Sequence, residues 1–423
     1  MSTQAFTLLF LVFLLATFTV RCWLTTRNVR HVLSHRDAVP QQFAQRIPLA
    51  AHQKAADYTV AKSRLGMISL FFQTVVLLGF TLFGGLQWLS VHILNITGPG
   101  TTYQLALLAA FAVISGILLD LPFDYYRQFV LEAQFGFNKM TPKLFISDLI
   151  KTVTVGAVIG FPLAWVILVL MEKAGALWWL YAWVVWSGFQ LLMLVLFPTV
   201  IAPLFNKFTP LEDDTLRARI ENLMRRVGFA SKGLFVMDGS KRSAHGNAYF
   251  SGFGAAKRIV FFDTLLSRLA PEEIEAVLAH ELGHFKLRHI IKRIAVMFGL
   301  SLALLALLGY LKNQVWFYAG LGVDPLPGVP NDAMALLLFA LVLPVFTFLF
   351  SPLASISSRK HEFEADAFAA QHSNAQDLVS ALVKLYEDNA STLTPDPLHS
   401  AFYDSHPPAT LRINRLMAAG SAH

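Results

Sequence analysis

Two histidines and a glutamate at close spacing are the residues of this chain best suited to chemistry. The segment His280-Glu281-Leu282-Gly283-His284 places the two imidazoles four residues apart, so on a helix they project from one face, one turn apart. That arrangement suits two nitrogen ligands on one tetrahedral zinc ion. Glu281 would lie beside the metal, where its carboxylate can take a proton from water and pass it to a leaving amine. The segment therefore predicts metal-assisted hydrolysis of a peptide bond.

A catalytic zinc site needs a third protein ligand, and residues 358–366 offer one. Glu362 and Asp366 are four residues apart. If Glu362 binds the metal, Asp366 lies one helical turn on and can accept the free ring N–H of a ligand histidine, which fixes its tautomer. We therefore predict one zinc ion per chain, held by His280, His284 and Glu362.

Two neighbours of Glu362 are alternative third ligands. His361 offers an imidazole, but the Glu-x-x-x-Asp spacing favours Glu362 over it, and Glu364 points to another side of the predicted helix. Cys22 is the only cysteine, which excludes a cluster of thiolate ligands and an intramolecular disulfide. Any metal must therefore bind to histidine and carboxylate.

The elements around these residues can be predicted from local patterns. Pro271, Glu272 and Glu273 are typical of the start of a helix, which would carry the first motif. Residues 247–250 and 258–262 are two short apolar stretches around a glycine turn, and they predict a β-hairpin. Residues 358–366 are expected to open a helix after the last apolar stretch.

The composition indicates a membrane protein. Of 423 residues, 55% are hydrophobic and 14% charged, and the mean hydropathy is +0.53, whereas soluble domains are about a quarter charged. About seven stretches are apolar and long enough to cross a hydrocarbon core of roughly 30 Å. They are residues 5–24, 66–92, 103–123, 147–171, 176–200, 293–312 and 333–354. The first is interpreted as a retained span rather than a cleaved signal peptide, because its basic residues follow the apolar stretch.

The loop charges predict an orientation. Residues 25–64 are basic, whereas residues 93–102 carry no charge, so the positive-inside rule places the N-terminus outside. The large polar segments, residues 201–292 and 355–423, then share the cytoplasmic side. The net charge of +7 is attributed to this orientation rather than to nucleic-acid binding, since no basic run of that type is present.

These patterns divide the chain into two domains. Residues 1–205 form a predicted membrane domain with five spans. Residues 206–423 form a predicted zinc peptidase domain that the last two spans, 293–312 and 333–354, interrupt.

The chain resembles the type I CAAX prenyl proteases, which are integral-membrane zinc proteases. The resemblance covers nearly the whole chain. It rests on His-Glu-Leu-Gly-His at 280–284, Ser-Arg-x-x-Glu-Phe-x-Ala-Asp at 358–366, Asn-Ala-Tyr-Phe at 247–250, Ser-His-Pro-Pro at 405–408 with Arg-Ile at 412–413, Phe-Asp-Tyr-Tyr-Arg at 123–127, Phe-Gly-Phe-Asn-Lys at 135–139 and Pro-Leu-Phe-Asn-Lys-Phe at 203–208.

The resemblance implies a mainly α, polytopic membrane fold with about seven transmembrane helices and a gluzincin-like peptidase domain containing a small β-hairpin. It implies the same zinc ligands, with Glu281 as the base. The family is often described with the equivalent of Asp366 as a proton donor. A carboxylate bonded to a zinc-bound imidazole should stay ionised, however, so we prefer an orienting role for Asp366.

The family also implies roles for residues outside the two motifs. His406 would reach the substrate carbonyl or the tetrahedral oxyanion, and Arg412 would support the site. A surface turn is the alternative interpretation of the His-Pro-Pro segment at 406–408. Asn247 and Ala248 would hold an extended substrate as an added strand.

The expected function is hydrolysis near the C-terminus of a membrane-associated substrate, which in this family is a prenylated cysteine followed by three residues. The expected partners are that peptide or protein substrate and the lipid bilayer, and the chain is expected to be monomeric. A membrane quality-control zinc protease is the competing enzyme class, and a zinc-containing transporter or channel is the competing class outside enzymes. The short external loops favour a bacterial inner membrane over the endoplasmic reticulum.

Overall fold

The computed structural model describes residues 1–229, 233–251 and 258–420 and consists mostly of helices. Within these residues, seven helices are long and apolar enough to cross a membrane. They are Thr3–Ser34, Leu49–Phe80, Thr101–Gln134, Pro142–Lys173, Gly175–Phe205, His289–Leu311 and Asp332–His372. The predicted number of spans and the mainly helical membrane fold are confirmed.

Shorter helices connect and cover the spans. They are Gly85–Thr97, Asp214–Arg226, Asp263–Leu266, Pro271–Lys286, Val315–Ala319, Ala375–Asp388, Pro397–Tyr403 and Ala409–Gly420. The helix Pro271–Lys286 carries the His-Glu-Leu-Gly-His segment and is called the motif helix below. The chain enters the last span at Asp332, passes a 3₁₀ turn at Phe348–Phe350, and continues as the helix Ser351–His372.

The second span differs from the predicted residues 66–92. Its helix begins at Leu49 and ends at Phe80, and Gly85–Thr97 is a separate helix. Thr81 donates from its N–H and its hydroxyl to the carbonyl of Leu77, at 2.9 and 2.6 Å, and Gly84 then turns the chain with a φ of 76°. Hydropathy gave no sign of this break, because the residues on both sides of it are apolar.

The start of the helix with the predicted third ligand also differs from expectation. Residues 358–366 do not open a helix, because the helix Ser351–His372 has begun two turns earlier. Glu362 therefore lies in the middle of a continuous helix of 22 residues, where its backbone is fixed on both sides.

A four-stranded sheet stands beside the motif helix. Its strands are β1 (Phe208–Pro210), β2 (Leu234–Met237), β3 (Ala248–Ser251) and β4 (Arg258–Phe262), in the order β1-β2-β4-β3. β2 and β4 are parallel, and the other two pairs are antiparallel. The two predicted hairpin strands are present as β3 and β4, while the glycine turn between them lies outside the described residues. β1 and β2, at three and four residues, were not predicted.

The two larger of the three buried hydrophobic cores in the described residues hold these parts in place. One lies among the spans and includes Phe10, Leu107 and Leu338. The other lies between the sheet, the motif helix and the helix Ala375–Asp388, and includes Phe261, Ala279 and Leu378. The second core fixes the motif helix against the sheet, so the side chains on its opposite face are presented to Ser351–His372.

Candidate active site

The motif helix begins and ends at defined points. Pro271 occupies its first turn, where no backbone N–H is needed. The carboxylate of Glu273 accepts a hydrogen bond from the N–H of Ala270 at 2.8 Å, which satisfies one free donor of the helix start. At the other end Arg288 adopts a left-handed conformation, with φ 58°, and the next helix begins at His289.

Small residues let the motif helix approach the helix Ser351–His372 closely. A Cβ placed on Gly283 would lie 3.0 Å from the Cα of Ala365 and 3.1 Å from the Cβ of Phe368. Gly283 lies between the two histidines of the motif, and Ala365 lies between Glu362 and Asp366. The contact therefore brings both pairs of side chains face to face.

The predicted metal ligands converge at this contact. The Nε2 atoms of His280 and His284 are 3.2 Å apart. Glu362 places Oε1 3.2 Å from Nε2 of His284 and Oε2 3.5 Å from Nε2 of His280. One ligand atom from each of the three residues falls within 4.8 Å of the others, a spacing that two nitrogen donors and one oxygen donor around a single ion require.

The surroundings of the cluster favour positive charge. Burial lowers the pKa of the His280 imidazole, but hydrogen bonds to Asp366 and Glu362 outweigh burial and raise this pKa to about 9. Oε2 of Glu362 is buried, and its charged neighbours are distant for a hydrogen bond: Nε2 of His280 lies 3.5 Å away and Nη1 of Arg412 lies 3.7 Å away. A cation between the three ligand residues would give this oxygen a closer partner.

Asp366 joins His280 to Arg412. Its Oδ1 lies 2.8 Å from Nδ1 of His280, on the side of the ring away from the cluster. Arg412 donates to both oxygens of Asp366, from Nη2 at 2.6 Å and from Nε at 2.9 Å. All three side chains are buried. The bidentate guanidinium holds the carboxylate ionised and directed at the imidazole.

His406 reaches the cluster from the opposite side. Its Nε2 lies 3.5 Å from Oε1 of Glu362, and 62% of the side chain is exposed. Nδ1 lies 3.1 Å from the hydroxyl of Ser405. The segment 405–408 connects the helices Pro397–Tyr403 and Ala409–Gly420, and it places His406 beside the cluster.

A cavity of about 250 Å³ opens beside the cluster. Glu281 and His280 line one wall, and Asn247 and Ala248 line another. β3 lies at the edge of the described sheet, with β4 on its inner side. The cavity therefore runs between the motif and a strand edge. His406 and Arg412 also line it.

Sequence reasoning missed Tyr386, which also lines this cavity. Burial raises the pKa of its hydroxyl. Tyr386 and Asn389 are shared with a larger cavity of about 510 Å³ that reaches Tyr58 and Lys62 on the second span. The signal for Tyr386 was present, because it follows Leu378 and Leu382 at four-residue steps on one face of a helix.

The two alternative ligands do not lie in the cluster. His361 stacks on His289 with ring centroids 4.1 Å apart. A carboxylate oxygen of Glu364 lies 2.8 Å from Nε2 of His289. Both residues therefore belong to a group around His289, which sequence reasoning also missed.

Two family models match the chain, and together they cover most of it. Residues 28–207 match the CAAX prenyl protease N-terminal family, described as five membrane helices. Residues 210–419 match Peptidase family M48.

Similar proteins come from several eukaryotes. CAAX prenyl protease 1 of Saccharomyces cerevisiae is 34% identical, with 96% of this chain and 93% of that protein covered. The CAAX prenyl protease 1 homolog of Homo sapiens is 31% identical over 95% and 94% of the two chains. The crystal structure of S. mikatae Ste24p matches with a TM-score of 0.90 and 34% identity, and 97% of this chain and 99% of that chain are covered.

The spans and the peptidase family together define an integral-membrane metalloendopeptidase that crosses the bilayer several times. The chain belongs to the type I CAAX prenyl protease family. The resemblance seen in the sequence motifs is confirmed.

Proposed function

We propose that this chain is a zinc endopeptidase that hydrolyses a peptide bond near the C-terminus of a membrane-associated substrate of the CaaX type. The observation that carries the proposal is the cluster of His280, His284 and Glu362 beside a cavity that Ala248, the first residue of the edge strand β3, also lines. The relatives named CAAX prenyl protease 1 support the substrate class.

The donor set fits one zinc ion per chain. Two imidazoles and one carboxylate are a known set for catalytic zinc, which keeps one position open for reaction. The buried Oε2 of Glu362, which has no donor closer than Nε2 of His280 at 3.5 Å in the described part of the chain, supports the same assignment. When bound, a zinc ion polarises a carbonyl group and lowers the pKa of water.

Glu281 acts as the general base and acid in this proposal. Its side chain is partly exposed to the cavity that also borders His280. The carboxylate takes a proton from the attacking water and returns it to the amine that leaves. His406 donates a hydrogen bond to the carbonyl oxygen as negative charge develops on it. Its exposure to the same cavity supports that role.

Asp366 orients His280 and is not the proton donor. Its two oxygens already accept hydrogen bonds from Arg412, and Oδ1 also lies against the His280 ring. A carboxylate held by a guanidinium is stabilised in its ionised form. Arg412 therefore supports the site through Asp366 and also directly, with Nη2 3.4 Å from Nδ1 of His280 and Nη1 3.7 Å from Oε2 of Glu362.

The substrate lies along β3 in an extended conformation. Asn247 and Ala248 are at the cavity end of this edge strand, and an edge strand offers main-chain hydrogen bonds to a peptide. The substrate side chains then alternate between the cavity and the bulk of the protein.

The remaining parts of the proposal concern the setting. We place the N-terminus outside and the site on the cytoplasmic side, with a membrane domain at residues 1–205 and a peptidase domain at 206–423. The chain acts as a monomer on a substrate that is prenylated. The bacterial inner membrane stays a prediction from the short loops, and the eukaryotic relatives give no support to it.

Product analysis tests the proposal. The full-length protein is incubated with a farnesylated CaaX peptide and with the same peptide lacking the farnesyl group, and the products are identified by mass spectrometry. We expect release of the three C-terminal residues, loss of this activity with a zinc chelator, and recovery when zinc is restored. Full activity after the bound metal has been removed would contradict the proposal. Equal cleavage of both peptides would show that the enzyme does not require the prenyl group, and it would leave the proposed proteolysis itself intact.

A further inference from the structure

A row of hydrogen-bonded side chains leads from His284 away from the ligand cluster. Nδ1 of His284 lies 3.0 Å from Nδ1 of His289. On the other side of the His289 ring, Nε2 lies 2.8 Å from Oε2 of Glu364. His289 is buried, at 4% exposure, and the Glu364 side chain is 36% exposed. The buried ring therefore connects His284 to a carboxylate near the surface.

The break after the motif helix is what brings His289 to this position. The helix ends at Lys286, Arg288 takes the left-handed conformation with φ 58° and ψ 30°, and the next helix begins at His289. A residue with a Cβ reaches that conformation at a cost of about 1–2 kcal/mol. In an unbroken helix, a residue five positions after His284 would point to another face. The turn instead returns His289 to His284.

With neutral imidazoles, only one placement of protons gives each hydrogen bond in this row one donor and one acceptor. Nε2 of His284 faces Nε2 of His280 and Oε1 of Glu362, both at 3.2 Å, and is the atom available to a metal. A neutral His284 then carries its proton on Nδ1 and donates to Nδ1 of His289. His289 carries its own proton on Nε2 and donates to Glu364, which only accepts.

We propose that His289 and Glu364 form a relay that positions His284 and strengthens it as a metal ligand; this inference rests on the proposed zinc site. His280 contacts a carboxylate directly, since its Nδ1 lies 2.8 Å from Asp366. His284 is connected to a carboxylate through a second imidazole, that of His289. Both relay residues are positioning residues, because neither lies in the ligand cluster.

The geometry argues against a separate metal ion at His289, His361 and Glu364, although donor atoms of all three lie within 4.8 Å of one another. The rings of His289 and His361 are stacked, with centroids 4.1 Å apart and planes 13° from parallel. The lone pairs of imidazole nitrogens lie in the ring plane, so two stacked rings do not point at a common ion. The stacking instead keeps the His289 ring in one orientation.

Zinc affinity tests the relay without reference to proteolysis. The dissociation constant and stoichiometry for zinc are measured on the full-length protein by competition with a chromophoric chelator. We expect His289→Leu to weaken zinc binding by about 10- to 100-fold while one zinc per chain still binds at saturation. Glu364→Ala should weaken binding less, and the double variant should match His289→Leu, because Glu364 acts only through His289.

Matched variants separate positioning from general damage to the fold. His289→Asn keeps an acceptor near the position of Nδ1 and should recover most of the affinity. Lys360→Met removes the only other ion-pair partner of Glu364 among the described residues, at 3.9 Å, and should have no effect. Glu364→Ala changes a half-exposed side chain, so it gives a result even if His289→Leu does not fold.

Two results would overturn the relay, and a third would overturn the proposed function instead. Wild-type zinc affinity in His289→Leu or in Glu364→Ala would contradict the relay. So would a double variant whose loss is the sum of the two single losses. A wild-type protein that binds no stoichiometric zinc would contradict the proposed zinc site itself.

Discussion

At the scale of single residues, the proposed metal ligands differ in role from the residues that contact those ligands. Substitutions should distinguish the two roles by their effect on zinc binding. Glu362 offers oxygens to the cluster, whereas Glu364, two residues on, contacts His289. Glu362→Ala should therefore abolish stoichiometric zinc binding, and Glu364→Ala should only weaken it. Zinc content after gel filtration measures both. A larger loss in Glu364→Ala would reassign the third ligand.

Asp366 gives a second test at this scale. If it orients His280, Asp366→Asn should weaken zinc binding by about 10- to 100-fold, and excess zinc should restore much of the activity. A proton donor would behave differently, with unchanged zinc affinity and a kcat that zinc cannot restore. Chelator competition and kcat at saturating zinc, measured together, distinguish the two roles.

The sequence identified the chemistry at this scale because the ligands follow helical spacing. The spacing of His280 and His284, and of Glu362 and Asp366, predicts two residues on one helix face in each case. His289 could not be found in this way. Its contact depends on the left-handed conformation of Arg288, which is a property of the folded turn and has no spacing rule.

At the scale of elements, the close approach at Gly283 sets the distance between the motif helix and Ser351–His372. Gly283→Val should force the helices apart, since its side chain would meet Ala365 and Phe368. Overpacking of this kind costs about 1–3 kcal/mol. We expect a lower midpoint of thermal unfolding and weaker zinc binding. Gly299→Val is the control, because nothing lies within 4 Å of a Cβ there; an equal effect in both variants would contradict the argument.

Glu273 ties the motif helix to the helix Ala375–Asp388. Its carboxylate accepts hydrogen bonds from Ser380 at 2.6 Å and Lys384 at 2.8 Å. Burial raises its pKa, but these partners and the N–H of Ala270 outweigh burial, so the folded pKa lies below the ordinary value. The stabilisation is therefore complete above the unfolded pKa of about 4.3 and is lost as pH falls through the folded pKa.

The pH dependence of unfolding in acid tests the stabilisation by the ionised Glu273 carboxylate. Glu273→Gln removes the ionised group, so its unfolding midpoint should change less than that of wild type as pH falls below about 4.3. Above that pH the variant should be the less stable of the two. Parallel curves for the two proteins across this range would show that Glu273 makes no such contribution.

The elements themselves were predictable to different degrees. The spans have a strong signal in hydropathy, yet the break at Gly84 escaped it because apolar residues continue on both sides. β1 and β2 contain too few residues to show alternation. β3 and β4 were found because residues 247–250 and 258–262 surround a glycine-containing stretch.

At the scale of the whole molecule, the ligand cluster is built from two parts of the chain that two spans separate in the sequence. The motif helix precedes the first of these spans, the helix Ser351–His372 is the last part of the second, and the two helices meet at the ligand cluster. The segments that flank a pair of spans lie on the same side of a membrane. Insertion of only one of the two spans would place the two halves of the site on opposite sides of the membrane.

Labelling of single cysteines tests the predicted orientation of the chain in the membrane. Cys22 is the only cysteine, so a Cys22→Ser chain can report on single introduced cysteines. Ile96→Cys, at a position that is 80% exposed, should react with an impermeant maleimide added outside. Asp37→Cys, where the side chain is 85% exposed, should react only after the membrane is opened. The reverse pattern would contradict the predicted orientation.

The central claim is that Glu281 does chemistry at a zinc ion held by His280, His284 and Glu362. Its most direct test measures zinc content and peptide cleavage on the same preparation of Glu281→Gln. We expect one zinc per chain, as in wild type, and a kcat about 10²- to 10⁴-fold lower, since a general base contributes about that much. A variant that binds zinc and cleaves a farnesylated CaaX peptide as fast as wild type would contradict the account.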